Sequence, residues 1–272
     1  MSLETRELTS GYGPVDVLHG VTVRIPEQGI VAILGANGAG KSTLMKALAG
    51  QLEVTSGDRL FSGESYASQD ACWAARAGIV LTPQTRPVFM DLSVAENLRM
   101  GALYHSRAKS AIAEVTDRFP ILSERADQAA GSLSGGERQL LAISAALLMQ
   151  PKVLLLDEPT SGLSPKHAES VSDLIVETVA QGLGVAWVVE QMPEVALKHA
   201  ERAYFMEGGQ VSYDGDAAPL LSRHQLRELM LGSDGGAKAA LDEAESSAKS
   251  GTKSAGKGRT EEAPKGSRKA KA

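Results

Sequence analysis

Three glycines, a lysine and two hydroxyl residues are gathered in Gly35-Ala36-Asn37-Gly38-Ala39-Gly40-Lys41-Ser42-Thr43. Glycines at 35, 38 and 40 let the backbone wrap with its N–H groups turned inward, which makes a nest for an anion. Lys41 adds a full positive charge for the β- and γ-phosphates of a nucleotide, and the Ser42 hydroxyl is small and hard enough to ligate Mg2+. Upstream lies the apolar run Gly29-Ile30-Val31-Ala32-Ile33-Leu34, and downstream Leu44-Met45-Lys46-Ala47-Leu48-Ala49 has helical texture that stops at Gly50. Strand, glycine loop and helix, with the positive end of the helix dipole at the loop, read as a phosphate-binding loop for a Mg-nucleoside triphosphate.

Two further segments carry chemistry. Val153-Leu154-Leu155-Leu156-Asp157-Glu158 sets adjacent carboxylates at the C-terminal end of a buried strand, where ligands of α/β sheets bind. Asp157 can hold Mg2+ directly or through water, and Glu158, on the other side, can polarise an attacking water. In Leu133-Ser134-Gly135-Gly136-Glu137-Arg138-Gln139, Ser134 caps a helix whose first N–H groups are bared by two glycines. That is a second anion site, far along the chain from the first.

The elements that must position these residues are legible as patterns. Leu3–Leu8 and Leu18–Ile25 alternate as strands around the turn-rich Gly11-Tyr12-Gly13-Pro14, so an N-terminal antiparallel sheet is expected. Ile30–Leu34, Gly78–Thr82, Val153–Asp157 and Gly184–Val189 are short apolar runs separated by helical segments, the texture of a parallel sheet buried on both faces. Between Pro87 and Gln150 the chain turns helical: a capping box at Ser93-Val94-Ala95-Glu96 opens a helix to about Tyr104, Ser106–Arg118 continues to Pro120, and Glu137–Gln150 is a third helix. Ser164-Pro165 starts a helix running to Gly182, and Ala203–Met206, Gly208-Gly209 and Gln210–Tyr213 form a closing hairpin. The fold class is therefore α/β, with a helical subdomain at about 88–150.

Composition sets the outer bounds. At 272 residues and 43% hydrophobic content the chain suits one large domain, and no window approaches the ~20 apolar residues of a membrane helix. With no signal-peptide pattern at its start, the protein is expected to stay in the cytosol. The lone Cys72 excludes an intrachain disulfide and a cysteine metal site, and is expected to be a buried or half-buried small hydrophobe. Residues 233–272 carry nine basic against six acidic side chains, which leaves the body at −8 and gives no support for nucleic-acid binding. Residues 235–272 are rich in Ala, Gly, Ser and Lys and are expected to be disordered, with a frayed helix near 237–248.

Taken together, Leu133-Ser134-Gly135-Gly136-Glu137-Arg138-Gln139 followed by an apolar strand ending Asp157-Glu158 resembles an ABC-type ATPase over nearly all of residues 3–232. The resemblance implies a P-loop NTPase core, mostly parallel with an N-terminal antiparallel β-subdomain, plus a helical signature subdomain. The ATPase domain would span 1–234. Such domains pair head to tail, so Ser134, Gly135 and Gly136 would face the γ-phosphate held by Lys41 of a second subunit, sandwiching two ATP molecules. Tyr12 is similar to the aromatic residue that stacks on adenine, and Gln84 to the glutamine that contacts Mg2+ or the attacking water and moves with the transmembrane partner.

Two positions depart from that pattern. Val189-Glu190-Gln191-Met192 has Gln191 where relatives have a switch histidine; an amide donates to a γ-phosphate but carries no proton or charge. Ser164 stands where many relatives have aspartate, which weakens the case for intersubunit contact by that loop. With Arg227–Gly232, these departures resemble the ATPase subunits of branched-chain amino-acid and urea importers, particularly the smaller of their two ATPase types. That resemblance implies a peripheral subunit at the cytoplasmic face of the membrane, with a second ATPase subunit, transmembrane permease subunits around Gln84–Arg99, and indirectly an extracytoplasmic solute-binding protein. An exporter or lipid-extracting subunit would share every catalytic residue. A soluble ABC ATPase acting on nucleic acid or ribosomes usually has coiled-coil arms, zinc modules or tandem units, none of which is present. A catalytically silent partner is disfavoured by the complete set Lys41, Asp157, Glu158 and Ser134.

Overall fold

The computed structural model describes residues 2–222 together with Leu226 and Leu229. The expected tail at 235–272, the frayed helix near 237–248 and most of Arg227–Gly232 lie outside the described residues. The described part belongs to one compact unit, Met1–Leu229.

Two sheets organise it. The first has the order β2-β1-β4-β5, formed by β1 (Leu3–Tyr12), β2 (Val15–Ile25), β4 (Val54–Phe61) and β5 (Glu64–Ser65), all antiparallel. The second has the order β10-β9-β3-β8-β7-β6, from β3 (Gly29–Gly35), β6 (Ile79–Thr82), β7 (Val153–Asp157), β8 (Gly184–Val188), β9 (Arg202–Glu207) and β10 (Gln210–Asp216). Its strands are parallel except for β10, which returns antiparallel along β9. Every residue of β3, β7 and β8 is buried, as their unbroken apolar runs require when both faces are covered.

Helix α1 (Lys41–Leu48) lies between the sheets, packing Leu44, Met45 and Leu48 into one core with Leu3, Leu8 and Leu18 of the first sheet and Val31, Ile33 and Leu155 of the second. The phosphate-loop helix is thus clamped from both sides. Helix α2 (Ala71–Ala77) sits against β6. Only Ala74 of it is buried, while Trp73 stacks on Tyr66 at 5.2 Å. Cys72 is exposed rather than buried, because two helical positions from Ala74 amount to about 200° of rotation and turn it to the outer side.

Between β6 and β7 come α3 (Val94–Gly101), α4 (Ala108–Arg118), α5 (Pro120–Glu124) and α6 (Gly135–Leu148). They enclose a second apolar core that includes Val94, Leu98, Leu122, Leu133 and Leu141. Boundaries differ in detail from the pattern reading. Helix α3 stops at Gly101, short of Tyr104. Pro120 opens a helix instead of merely ending one, since its fixed φ suits the first helical position. Helix α6 starts at Gly135, as the expected Ser134 cap requires, rather than at Glu137 where its periodicity begins. Helix α7 (Pro165–Ala180) packs beside α6 and against β3, and α8 (Pro193–Leu197) follows β8. No helix among the described residues is long and apolar enough to cross a membrane.

Candidate nucleotide site

The loop 36–40 leaves the buried end of β3 and enters α1 without a side-chain cap. Gly40 holds the cap position at φ 100°, a left-handed conformation natural to glycine, so the first-turn N–H groups of α1 face the loop unclaimed by a capping side chain. Gly35 turns at φ 146°, and any Cβ there would run into the carbonyl oxygen of Met206 on β9. Lys41 is 5% exposed and donates to the carbonyls of Gly35 (2.7 Å) and Ala36 (2.8 Å). Burial lowers the proton affinity of its ammonium, and Glu190, Glu158 and Asp157 act the other way.

The acidic strand end reaches the same place through the sheet order. Strand β8 lies between β3 and β7, and Val188 pairs with Ile33 on one side and with Asp157 on the other. Ser42 donates to Asp157 Oδ1 at 3.2 Å, so a hydroxyl and a carboxylate oxygen face each other beneath the phosphate loop. Burial pushes the Asp157 carboxyl up, against the pull of Ser42, Lys41 and Lys46. Glu158 leaves the strand at φ 53°, an uncommon conformation for a non-glycine residue that swings its side chain off the sheet end. Its N–H donates to Val188 O at 3.2 Å, and its carboxylate accepts from Gln84 Nε2 at 2.7 Å. Burial, then Glu190, push the Glu158 carboxyl up, and Lys41 draws it down.

An open cleft of about 210 Å³ is lined by Tyr12, Asn37, Gly38, Lys41, Ser42 and Glu158, with Gly40, Thr43 and Gln84 completing the polar wall. Tyr12 is the last residue of β1 rather than a loop residue, and half exposed. Lys46 Nζ donates to its hydroxyl at 3.2 Å and lies 5.3 Å from the ring centre. Those two distances place the ammonium at the hydroxyl edge, so a planar group can still lie along a ring face.

Ser134, Gly135, Gly136 and Gln191 do not line this cleft. Ser134 and Glu137 form a reciprocal capping box, with Ser134 N–H donating to Glu137 at 2.8 Å and Glu137 N–H to the Ser134 hydroxyl at 3.4 Å. Arg125 pairs with Glu137 at 3.1 Å, and Arg138 donates to the carbonyl of Leu133. The preceding loop is pinned from both sides, and the α6 N-terminus is presented outward. Gln191 is exposed just before Met192, the left-handed cap of α8, and its amide has no hydrogen bond among the described residues.

Two residues escaped the sequence reading. Lys46 stands four positions after Ser42, hence on the same face of α1 one turn on, a spacing that could have suggested it. Glu190 stands two residues past β8, between the phosphate-loop strand and the acidic strand, and it is the first charge after burial to act on both Lys41 and Glu158. Only the sheet order, absent from the sequence, brings it there.

The fold and this loop define an α/β P-loop NTPase. The chain belongs to the ABC transporter family, whose model, described as "ABC transporter", matches residues 18–161. Among curated relatives, the high-affinity branched-chain amino acid transport ATP-binding protein BraG of Pseudomonas aeruginosa is 39% identical over 83% of this chain and 97% of its own length. The probable branched-chain amino acid transport ATP-binding protein LivF of Archaeoglobus fulgidus is 38% identical over 85% of this chain and 98% of its own. Among solved structures, a nucleotide-free ATP-binding cassette from an ABC transporter superposes with a TM-score of 0.72 at 27% identity, covering 84% of this chain and 98% of that one. The ADP conformation of an ABC transporter cassette matches equally, with TM-score 0.72, 27% identity, and coverage of 85% and 99%.

Proposed function

We propose that this chain is the ATP-hydrolysing subunit of an ABC importer for branched-chain amino acids or a related small amide such as urea. The observation that carries the chemistry is the meeting of Lys41, the Ser42–Asp157 pair and the Gln84–Glu158 pair around one cleft with Tyr12 at its rim. The solute class rests on the BraG and LivF relatives, which match along almost their whole length.

In this reading Tyr12 stacks on the adenine, the loop 35–40 donates N–H groups to the phosphates, and Lys41 leaves its two carbonyl acceptors to pair with the β- and γ-oxygens. Ser42 and Asp157 offer hard oxygens facing each other, which fits Mg2+; that ion would neutralise charge on the phosphates. Glu158 takes the proton of the attacking water as the water oxygen bonds to the γ-phosphorus and the β,γ-bridging P–O bond breaks, releasing ADP and phosphate, and Gln84 holds the carboxylate in place. The capped N-terminus of α6 presents Ser134, Gly135 and Gly136 to the γ-phosphate of a second ATPase subunit. Gln191, at the switch position, would add a neutral donor to the γ-phosphate held by Lys41 of its own chain.

A separate apolar groove of about 320 Å³ lies beside the Gln84 loop, lined by Pro87, Phe89, Met100, Leu103, Tyr104 and Met149 among others. Tyr104 is 92% exposed, and Asn97 staples the loop by bonding both N–H and C=O of Phe89. This wall suits a short cytoplasmic helix of the transmembrane partner, consistent with a peripheral subunit at the cytoplasmic face. We assign the ATPase domain to 1–234, with the helical subdomain at about 88–150, and 235–272 to an extension without catalytic residues.

The test is uptake. Cells whose only copy of this chain carries Lys41→Ala should lose energised uptake of labelled leucine, isoleucine and valine, and uptake unchanged from wild type would contradict the assignment.

A further inference from the structure

The second glycine of the signature segment is not there for its backbone. Gly136 is the second residue of α6 and is absent from the positive-φ positions, so its conformation is open to alanine. What excludes a side chain is His167, whose Cγ, Cβ and Cδ2 would lie 2.7, 2.9 and 3.0 Å from a Cβ at 136. Next to it, Leu163 Cδ2 comes within 3.7 Å of the corresponding point at Gly135. The floor under the signature glycines is therefore built by the segment that runs on from Glu158.

That segment is short and internally tied. Ser161 N–H donates to Glu158 O at 3.2 Å, Leu163 N–H to Thr160 O at 3.4 Å, and Ala168 N–H to Ser164 O at 2.9 Å. Thr160 is buried. Ser164 caps α7 by position, yet its hydroxyl makes no bond to the helix backbone; it meets His167 Nδ1 at 2.8 Å instead. The hydroxyl that stands in place of the usual aspartate thus fixes the imidazole, and the imidazole rests on Gly136.

We propose that His167 is a positioning residue, which sets the signature helix relative to the loop bearing Glu158 by packing on Gly136 while held by Ser164. It touches no substrate, and the proposal rests on the ATPase reading above. Its effect is to keep the two halves of the catalytic apparatus in one chain at a fixed separation, where displacement by about 1 Å can cost up to ~100-fold in rate.

The experiment measures ATP turnover of the full chain together with the partners it needs, alongside affinity for a fluorescent ATP analogue and thermal midpoint. His167→Ala should lower kcat about tenfold or more while leaving KM and analogue affinity within about twofold. His167→Asn, which keeps an amide near the Nδ1 position, should recover most of the loss, and Ser164→Ala should share it without adding to His167→Ala. Gly136→Ala should be severely impaired alone, and most of that added damage should be absent from Gly136→Ala/His167→Ala, where only the Cβ contact at 2.9 Å remains. Wild-type kcat in His167→Ala, or equal damage from Gly136→Ala with and without the ring, would overturn the proposal. Should His167→Ala fail to fold, Ser164→Ala decides instead: about tenfold lower kcat at unchanged KM supports the proposal, and wild-type kcat overturns it. Failure of the wild type to bind the analogue would sink the ATPase reading, a different outcome from either.

Discussion

The Gln84 amide donates to the Glu158 carboxylate across 2.7 Å although the two are 74 residues apart in the chain. Gln84 follows β6 and precedes the apolar groove at Pro87–Phe89, while Glu158 directly follows β7, the neighbouring strand. A displacement of the groove wall therefore bears directly on the carboxylate proposed to activate water.

Gln84→Ala follows from this contact. It removes the donor that orients Glu158 without touching the phosphate loop, so ATP turnover should fall about tenfold while affinity for nucleotide holds, in line with ~1.5–3 kcal/mol for a hydrogen bond to a charged group, discounted for exposure. Steady-state kinetics alongside nucleotide titration check it. A rise in KM with kcat unchanged would point to a binding role instead.

The capping box at Ser134 gives a prediction with a sign in pH. Burial pushes the Glu137 carboxyl up, but the hydrogen bonds from Ser134 and the nearby charges of Arg125 and His167 outweigh it and hold the group below its usual range. A depressed carboxyl binds fewer protons folded than unfolded, so its stabilisation is complete above the unfolded carboxylate value of about 4.3 and fades as pH falls through the lower folded value. Glu137→Gln should therefore lower the urea midpoint by a constant amount above about pH 5, and the gap to wild type should close on acidification. A gap that widens toward low pH would contradict the assignment.

Arg59 predicts a loss of stability remote from the site. Its side chain is 1% exposed, and its guanidinium donates to the carbonyls of Ala47, Leu52, Tyr66, Ala67 and Gln69 while lying 5.0 Å from the Tyr66 ring. It ties β4 to the C-terminal end of the phosphate-loop helix. Arg59→Met fills similar volume but strips those acceptors of a buried donor, so unfolding free energy should drop by at least about 3 kcal/mol. Equilibrium denaturation measures this, and a change under 1 kcal/mol would show that water replaces the guanidinium without cost.

The same arginine explains one gap in what the sequence discloses. Strand β4 reads Val54-Thr55-Ser56-Gly57-Asp58-Arg59-Leu60-Phe61, with Gly57 and Arg59 where alternation in step with Phe61 would place apolar groups, and it resists recognition because a buried guanidinium does the work of a hydrophobe. By contrast β3, β7 and β8 announce themselves as unbroken apolar runs, since both of their faces are covered. Contiguous motifs were equally plain: the loop at 35–43, the capping boxes at Ser93 and Ser134, and the paired acids at 157–158 can each be read without knowing the fold. Relationships across the sheet could not. Glu190 enters the site only because β8 is inserted between β3 and β7, and His167 meets Gly136 only because α7 lies beside α6. The pattern overran the end of α3, which stops at Gly101, and missed the short helix that Pro120 opens.

Phosphate release by Glu158→Gln, measured together with the nucleotide it retains, bears most directly on the central account, that Glu158 activates water for ATP held at Lys41. An amide cannot take up the proton, so turnover should fall by at least ~100-fold, while Mg-ATP stays bound and stabilises the paired ATPase subunits on sizing. A variant that releases phosphate at the wild-type rate, or that holds no ATP, would contradict it.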